Sequence, residues 1–351
     1  MIGCTHDPAK RLRQPRRQVA NAIPSLLQLR GLTSLTDDPA GGDRVATPEI
    51  EARLILIDGQ LLQVAIRHSS GQQPPLLLFN GIGANWELAK PFLEALTSTT
   101  AIIFDVPGIG GSPRPLLPYR PSTLARLAAG LVAELGYAEI DVAGVSWGGG
   151  IAQQFAHQYP KLYRRLVLAA TAPGATMVPA SPSVLWKMVT PRRYTDKDYM
   201  NRIAADLYGG TFRRDPSSIG RHAAAMHGVR NLGYLYQLLA MSGWTSLPWL
   251  WSLPQQTLVL MGSDDPLVPP INGHILAGLI PNAELRMIDD GHLFIVTRPV
   301  ETAAVIEAFL ADASRRVEPS SPLSRMANWV KGLVSTFGGR RDAQSQQEGR
   351  K

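Results

Sequence analysis

Of the 351 residues only one is a cysteine, Cys4. A lone thiol forms no internal disulfide and no thiolate metal cluster, which excludes a disulfide-stapled scaffold and a cysteine-based zinc module. Charged residues make up only 18% of the chain. No apolar run reaches the roughly 18 to 20 residues of a membrane-spanning helix. The basic N-terminus (Lys10, Arg11, Arg13, Arg16, Arg17) is followed only by a short, interrupted apolar stretch, Ala22 to Leu29. No small-residue cleavage site comes after it, so it makes a poor secretory leader and points to a cytoplasmic protein. There is no H-E-x-x-H. Gly108-Ile109-Gly110-Gly111 lacks the lysine of a phosphate-binding loop, and Gly81-Ile82-Gly83 lacks the third glycine of a dinucleotide fingerprint. Neither a metal nor a cofactor is expected.

The net charge of +7 is unevenly spread. Residues 1–45 carry seven basic against four acidic residues and residues 315–351 carry eight against three, so residues 46–314 sit at −1. A nucleic-acid binder would line a folded face with such charge. Here it lies in the tails, and no nucleic-acid partner is expected.

What is present is an alternation of short apolar runs with helical patterns. Leu54–Ile57 and Leu61–Ile66 flank Asp58-Gly59-Gln60 as two strands about a turn. Leu76–Phe79, Ala101–Phe104, Ile140–Val145, Leu166–Ala170, Thr257–Met261 and Leu285–Ile288 are runs of the kind buried on both faces of a parallel sheet. Helical spacing fills Trp86–Leu96, Ser122–Leu135, Trp147–Tyr159, Ile271–Ile280 and Val300–Leu310. This is an α/β pattern, a mostly parallel sheet flanked by helices. The rhythm breaks between Thr171 and Pro254, a stretch rich in Trp and Tyr and too long for an ordinary connection. It reads as an inserted helical cap over residues 172–254. The domain proper is expected over 46–314, between a flexible basic extension, 1–45, and a basic tail, 315–351.

Gly144-Val145-Ser146-Trp147-Gly148 is a G-x-S-x-G sequence, with an apolar strand ending at Val145 and a helix opening in Gly148-Gly149-Gly150. That context is a nucleophile elbow, which lifts a serine hydroxyl above the sheet at a helix N-terminus. Serine needs a base, and the base an orienting acid, in the chain order Ser, acid, His. His292, in Asp289-Asp290-Gly291-His292 after the last strand, fits. The other six histidines lie in the wrong elements. The acid belongs after the preceding strand, where Gly262-Ser263-Asp264-Asp265-Pro266 offers two carboxylates. Asp265 is favoured and Asp264 is the alternative. An oxyanion requires backbone donors already in place. The amide of Trp147 and that of Ile82, in the loop Asn80-Gly81-Ile82-Gly83-Ala84-Asn85, are assigned. Asp105, closing another strand, is read as a carboxylate that orders loops.

At these residues the chain resembles the intracellular depolymerases of medium-chain-length poly(3-hydroxyalkanoates), within the α/β-hydrolase superfamily. The segments alike include FNGIGAN (Phe79–Asn85), FDVPGIGGS (Phe104–Ser112), GVSWGGG (Gly144–Gly150), LVLAATAPGATMVP (Leu166–Pro179), GWTS (Gly243–Ser246), DDPLVP (Asp264–Pro269) and IDDGHLF (Ile288–Phe294). The likeness runs from about Arg53 to Leu310 and includes cap segments. It implies an α/β-hydrolase fold with an eight-stranded type of sheet. It also implies hydrolysis of a stored polyester through an acyl-serine, with Ser146, Asp265 and His292 as nucleophile, acid and base. An apolar acyl channel under the cap, with Asn80 and Trp244 among the substrate-binding residues, follows from the same likeness. Asn80 stands where the wider superfamily commonly has histidine.

In the tail, Leu323, Met326, Trp329, Val330, Leu333, Val334 and Phe337 recur at spacings of three and four among basic and serine residues. This is the pattern of a basic amphipathic helix, and contact with a polyester granule is the expectation drawn from it. The triad alone is shared with generic carboxylesterases and carbon–carbon bond hydrolases. A catalytically silent granule-surface protein is the non-enzyme alternative.

Overall fold

The computed structural model describes residues 49–190, 196–215 and 231–312. The N-terminal extension and the amphipathic tail segment expected from the sequence lie outside these residues.

Strands β1 (Ile50–Ile57) and β2 (Gln60–Arg67) pair antiparallel about Asp58-Gly59, both with positive φ, the twist that two-residue hairpin turns favour. They are followed by β3 (Leu76–Phe79), β4 (Ala101–Phe104), β5 (Ile140–Val145), β6 (Tyr163–Ala169), β7 (Gln256–Gly262) and β8 (Ala283–Ile288). The eight strands form one sheet in the order β1-β2-β4-β3-β5-β6-β7-β8. β2 meets β4 antiparallel, and every pair from β4–β3 to β7–β8 is parallel.

Among the described residues, α1 (Lys90–Ala95) continues a 3-10 turn at Trp86–Ala89. α2 (Pro121–Glu134) and α3 (Trp147–Gln158) follow β4 and β5. Between β6 and β7 come α4 (Pro182–Val189), α5 (Lys197–Tyr208), α6 (Thr211–Arg214) and α7 (Asn231–Met241). After β7 come α8 (Ile271–Leu279), α9 (Phe294–Thr297) and α10 (Pro299–Ala311). None of the described helices is long and apolar enough to cross a membrane.

The apolar runs are explained by the sheet having two dry faces. Leu77, Phe79, Ile102, Phe104, Val142, Leu168 and Val259 point to one face, where α2, α3 and α8 supply Leu124, Leu131, Ile151, Phe155 and Leu276. Leu76, Leu78, Ile103, Ala143, Val167 and Leu258 point to the other, against Phe92 and Leu93 of α1 and Ile306 and Phe309 of α10. Successive residues of one strand serve different cores because side chains alternate across a sheet. A charged group at such a position is costly unless it is bonded, as Asp141 of β5 is by Arg164 at 2.6 Å.

The stretch between β6 and β7 adds no strand to the sheet within its described residues. Its own small core joins Val184 of α4 to Met200, Ile203, Leu207 and Phe212 of α5 and α6. Where the stretch leaves and returns it is pinned to itself. Gly174 and Thr245 form an isolated antiparallel bridge, with Ala175 N–H donating to Trp244 O at 2.8 Å and Ser246 N–H to Pro173 O at 3.1 Å.

Candidate active site

Ser146 stands between β5 and α3 with φ 54° and ψ −119°, a conformation non-glycine residues rarely adopt. The tight turn brings α3 against the end of β3. A Cβ on Gly148 would lie 2.2 Å from Phe79 O and 2.4 Å from Asn80 O, so only glycine fits there.

His292 follows β8 and is almost fully buried. Its Nε2 lies 3.0 Å from Ser146 Oγ and its Nδ1 2.8 Å from Asp265 Oδ2. The other oxygen of Asp265 accepts from the amides of Leu267 and Val268 at 2.9 and 2.8 Å. With both oxygens engaged, the carboxylate has one orientation, and it fixes the imidazole with Nε2 toward the serine. Asp264 faces elsewhere. Its carboxylate takes the Gly210 amide at 2.8 Å and pairs with the Arg213 guanidinium, with 45% of its side chain exposed. The geometry thus separates the two carboxylates that the sequence left open.

The loop 80–85 lies beside the serine. Gly81 N–H donates to Asn80 Oδ1 at 2.9 Å, Gly83 N–H to Gln237 Oε1 at 2.8 Å, and Ala84 N–H to Gly81 O at 3.2 Å. The amide of Ile82 is the one N–H of residues 81–84 without an acceptor among the described residues. The amide of Trp147, at the first position of α3, is likewise unbonded there, as the first amides of a helix are. Asn80 Nδ2–H also donates to Asn85 O at 2.7 Å, so its side chain is committed to the shape of the loop.

Asp105 ends β4 and spans two loops, its Oδ1 accepting from Trp86 N–H at 2.7 Å and its Oδ2 from Gly111 N–H at 2.9 Å. Burial raises its pKa from the ordinary 3.8 to about 6 against the pull of those donors. A folded-state value above the unfolded one means a stabilising contribution that is complete below about pH 4 and lost as pH rises through about 6. Asp105→Asn abolishes that titration. The stability of the wild type relative to the variant should therefore fall between those pH values, by up to about 3 kcal/mol. Urea unfolding across this range measures it, and a pH-independent difference would contradict it.

Three contributors had no signal in the sequence. Tyr208 O accepts the backbone N–H of His292 at 2.7 Å, and the Tyr208 ring lies parallel to the imidazole at 6.4 Å. Asp290 gathers Thr211, Gly291 and Thr297 around its carboxylate. Burial works to raise its pKa, but the hydrogen bonds from Thr297, Thr211 and Gly291 prevail and hold it below the ordinary range. The third is Gln237, on α7.

Two apolar cavities open from Ser146, sharing Ile82, Met188 and Leu267 as walls. The smaller, about 80 Å³, runs past Asn80, Tyr208 and His292. The larger, about 330 Å³, runs past Met177, Met241 and Trp244. Trp244 gives its indole N–H to Gln154 Oε1 at 2.8 Å, which leaves its hydrocarbon surface to the cavity. Such an arrangement can activate the serine for attack on a carbonyl flanked by apolar groups.

Residues 74–299, more than half of the chain, match the alpha/beta hydrolase fold family. The chain is 51% identical over 265 residues to a poly(3-hydroxyalkanoate) depolymerase of Ectopseudomonas oleovorans, covering 75% of this chain and 94% of that protein. It is 28% identical to a 2-hydroxymuconate semialdehyde hydrolase of Pseudomonas sp. strain CF600, over 73% of this chain and 95% of the relative. Among solved structures, the enol-lactonase of Burkholderia xenovorans LB400 superposes with a TM-score of 0.64 at 21% identity, covering 74% of this chain and all of that one. The last of these speaks for the fold alone. The chain belongs to the alpha/beta hydrolase fold family and, within it, to the family of the Ectopseudomonas depolymerase.

Proposed function

We propose that this hydrolase cleaves the ester bonds of a poly(3-hydroxyalkanoate). The single observation that carries the mechanism is the pair of hydrogen bonds joining Ser146, His292 and Asp265. The half-identity to a depolymerase, extending across the stretch between β6 and β7, supports the substrate.

In the proposed reaction His292 Nε2 takes the proton of Ser146 Oγ as the oxygen attacks the ester carbonyl. Asp265 holds Nδ1–H and stabilises the imidazolium. The amides of Ile82 and Trp147 receive the developing oxyanion. Collapse expels the alcohol end of the polymer, protonated by His292, and leaves a hydroxyacyl ester on Ser146. Water, deprotonated by the same imidazole, then releases the acid. The 330 Å³ cavity is the candidate berth for the alkyl branch of the hydroxyacyl unit, with Trp244 on its wall, and the Asn80 side opens toward the neighbouring unit.

Residues 172–254 act in this reading as a cap over the site. Residues 323–337 lie outside the described residues. From their sequence pattern alone, they are proposed to hold the enzyme on a polyester granule in the cytoplasm.

The test is incubation of the purified protein with granules of medium and of short side-chain polyester, with the released acids identified by mass spectrometry. Release of 3-hydroxy acids or their oligomers from the medium side-chain polymer is expected. Turnover of soluble esters with no acid released from either polymer would overturn the substrate assignment and leave a general carboxylesterase.

A further inference from the structure

Gln237 lies at the middle of α7, is completely buried and touches both segments that supply the oxyanion amides. Its side-chain Oε1 accepts the Gly83 amide at 2.8 Å, and its main-chain carbonyl accepts the Trp147 indole N–H at 3.0 Å. One residue of the stretch between β6 and β7 therefore spans from the loop after β3 to the residue after the nucleophile.

The first bond bears directly on Ile82. Peptide units are planar, so fixing the Gly83 N–H fixes the plane that contains the Ile82 carbonyl. The plane on the other side of Ile82 is close to a second fixed point, because Gly81 N–H is held by Asn80 Oδ1. Ile82 thus sits between two anchored amides, one held by Asn80 within the loop and one held from α7. The helix itself is seated hard against the loop after β4. A Cβ on Gly233 would fall 2.0 Å from Gly108 O, so helix and loop meet backbone to backbone one turn before Gln237. Tyr236 OH adds a bond to Leu116 O at 3.1 Å.

A second observation separates this role from packing. Gln237 Nε2 is buried without a partner among the described residues. Leaving a buried donor unpaired is costly, because it has given up its bonds to water and received none in return. A side chain serving only to fill this space would be better apolar, whereas one needed for its Oε1 must carry the idle Nε2 along.

We propose that Gln237 is a positioning residue for the oxyanion hole, acting through Gly83 to aim the Ile82 amide. The inference rests on the assignment of that amide under Proposed function. Gln237→Met keeps length and bulk and removes the acceptor, while Gln237→Glu retains an acceptor at the same reach. On a soluble p-nitrophenyl alkanoate, Gln237→Met should lose about 10- to 100-fold in kcat, less than the roughly 10²- to 10³-fold for outright removal of an oxyanion donor, at nearly unchanged KM. The inhibition constant of an alkyl boronic acid, which binds serine as a tetrahedral adduct, should rise by the same factor. That of a straight-chain alcohol of equal length, which forms no adduct, should not move. Gln237→Glu should exceed Gln237→Met while its carboxyl is protonated, and the ratio of their kcat values should fall as pH rises and a negative charge appears beside the oxyanion.

Full kcat in Gln237→Met, or boronate and alcohol constants that shift together, would overturn the proposal. So would a Gln237→Glu variant that folds yet is no more active than Gln237→Met at any pH. If the wild type itself bound boronate no better than alcohol, the fault would lie with the serine–oxyanion assignment.

Discussion

Ser146→Ala should leave a folded protein that no longer hydrolyses p-nitrophenyl alkanoates or polyester. Loss of a triad serine elsewhere costs on the order of 10⁶-fold in kcat, so what remains should be indistinguishable from background. The reasons are local. The Oγ–Nε2 distance of 3.0 Å is the one through which a proton can leave the nucleophile, and a methyl group neither attacks nor donates. Alanine meets the same backbone strain at φ 54° as serine does, so the turn gains and loses little. A melting temperature within a few degrees of the wild type, with activity gone, is the expected pair of results. Turnover persisting in this variant after removal of contaminating esterase would sink the mechanism.

The second large effect distinguishes two adjacent side chains. Asp265→Asn should lower kcat by about 10⁴-fold, because an amide in place of the carboxylate stabilises the wrong imidazole tautomer and cannot balance an imidazolium. Asp264→Asn should stay within a few-fold of the wild type. Its carboxylate is nearly half exposed and, among the described residues, bonds Gly210 and Arg213 alone, and an exposed pair of that kind contributes about 1 kcal/mol or less to stability. Steady-state kinetics on the two variants check both statements. Comparable losses in the two would contradict this distinction, and a large loss confined to Asp264→Asn would reverse the assignment.

That pair also marks where the sequence stops being legible. The motif Asp264-Asp265-Pro266 says that an acid follows β7, but adjacent residues at the end of a strand point to opposite sides. The bonds of Asp265 to His292, Leu267 and Val268 show which one turns inward. The strands were readable because burial on both faces removes polar residues from them. Leu76–Phe79, Ala101–Phe104 and Ile140–Val145 fall where their apolar runs do. The apolar run Leu54–Ile57 covers only the second half of β1, because the exposed Glu51 and Arg53 belong to an edge strand with a wet face. Asp105 was recognisable as a loop-ordering carboxylate from its place at a strand end.

Gln237 and Tyr208 were not legible. Each acts on a partner far away in the chain, 154 residues in the case of Gly83 and Gln237. Each also lies in a stretch whose described residues add no sheet strand to set its register. Helical spacing could show that α7 has a buried side, but not that this side meets the loop after β3.

The bridge between Gly174 and Thr245 has a consequence for inheritance. Because the helices between β6 and β7 leave and return through one narrow neck, they can be exchanged for another set with the strand ends left in place. On the proposed reading of residues 172–254 as a cap that receives the polymer, bond cleavage and choice of polymer are then separable traits. A lineage can change what it digests while keeping how it digests, provided each new insert brings its own substitute for the contacts of Tyr208 and Gln237.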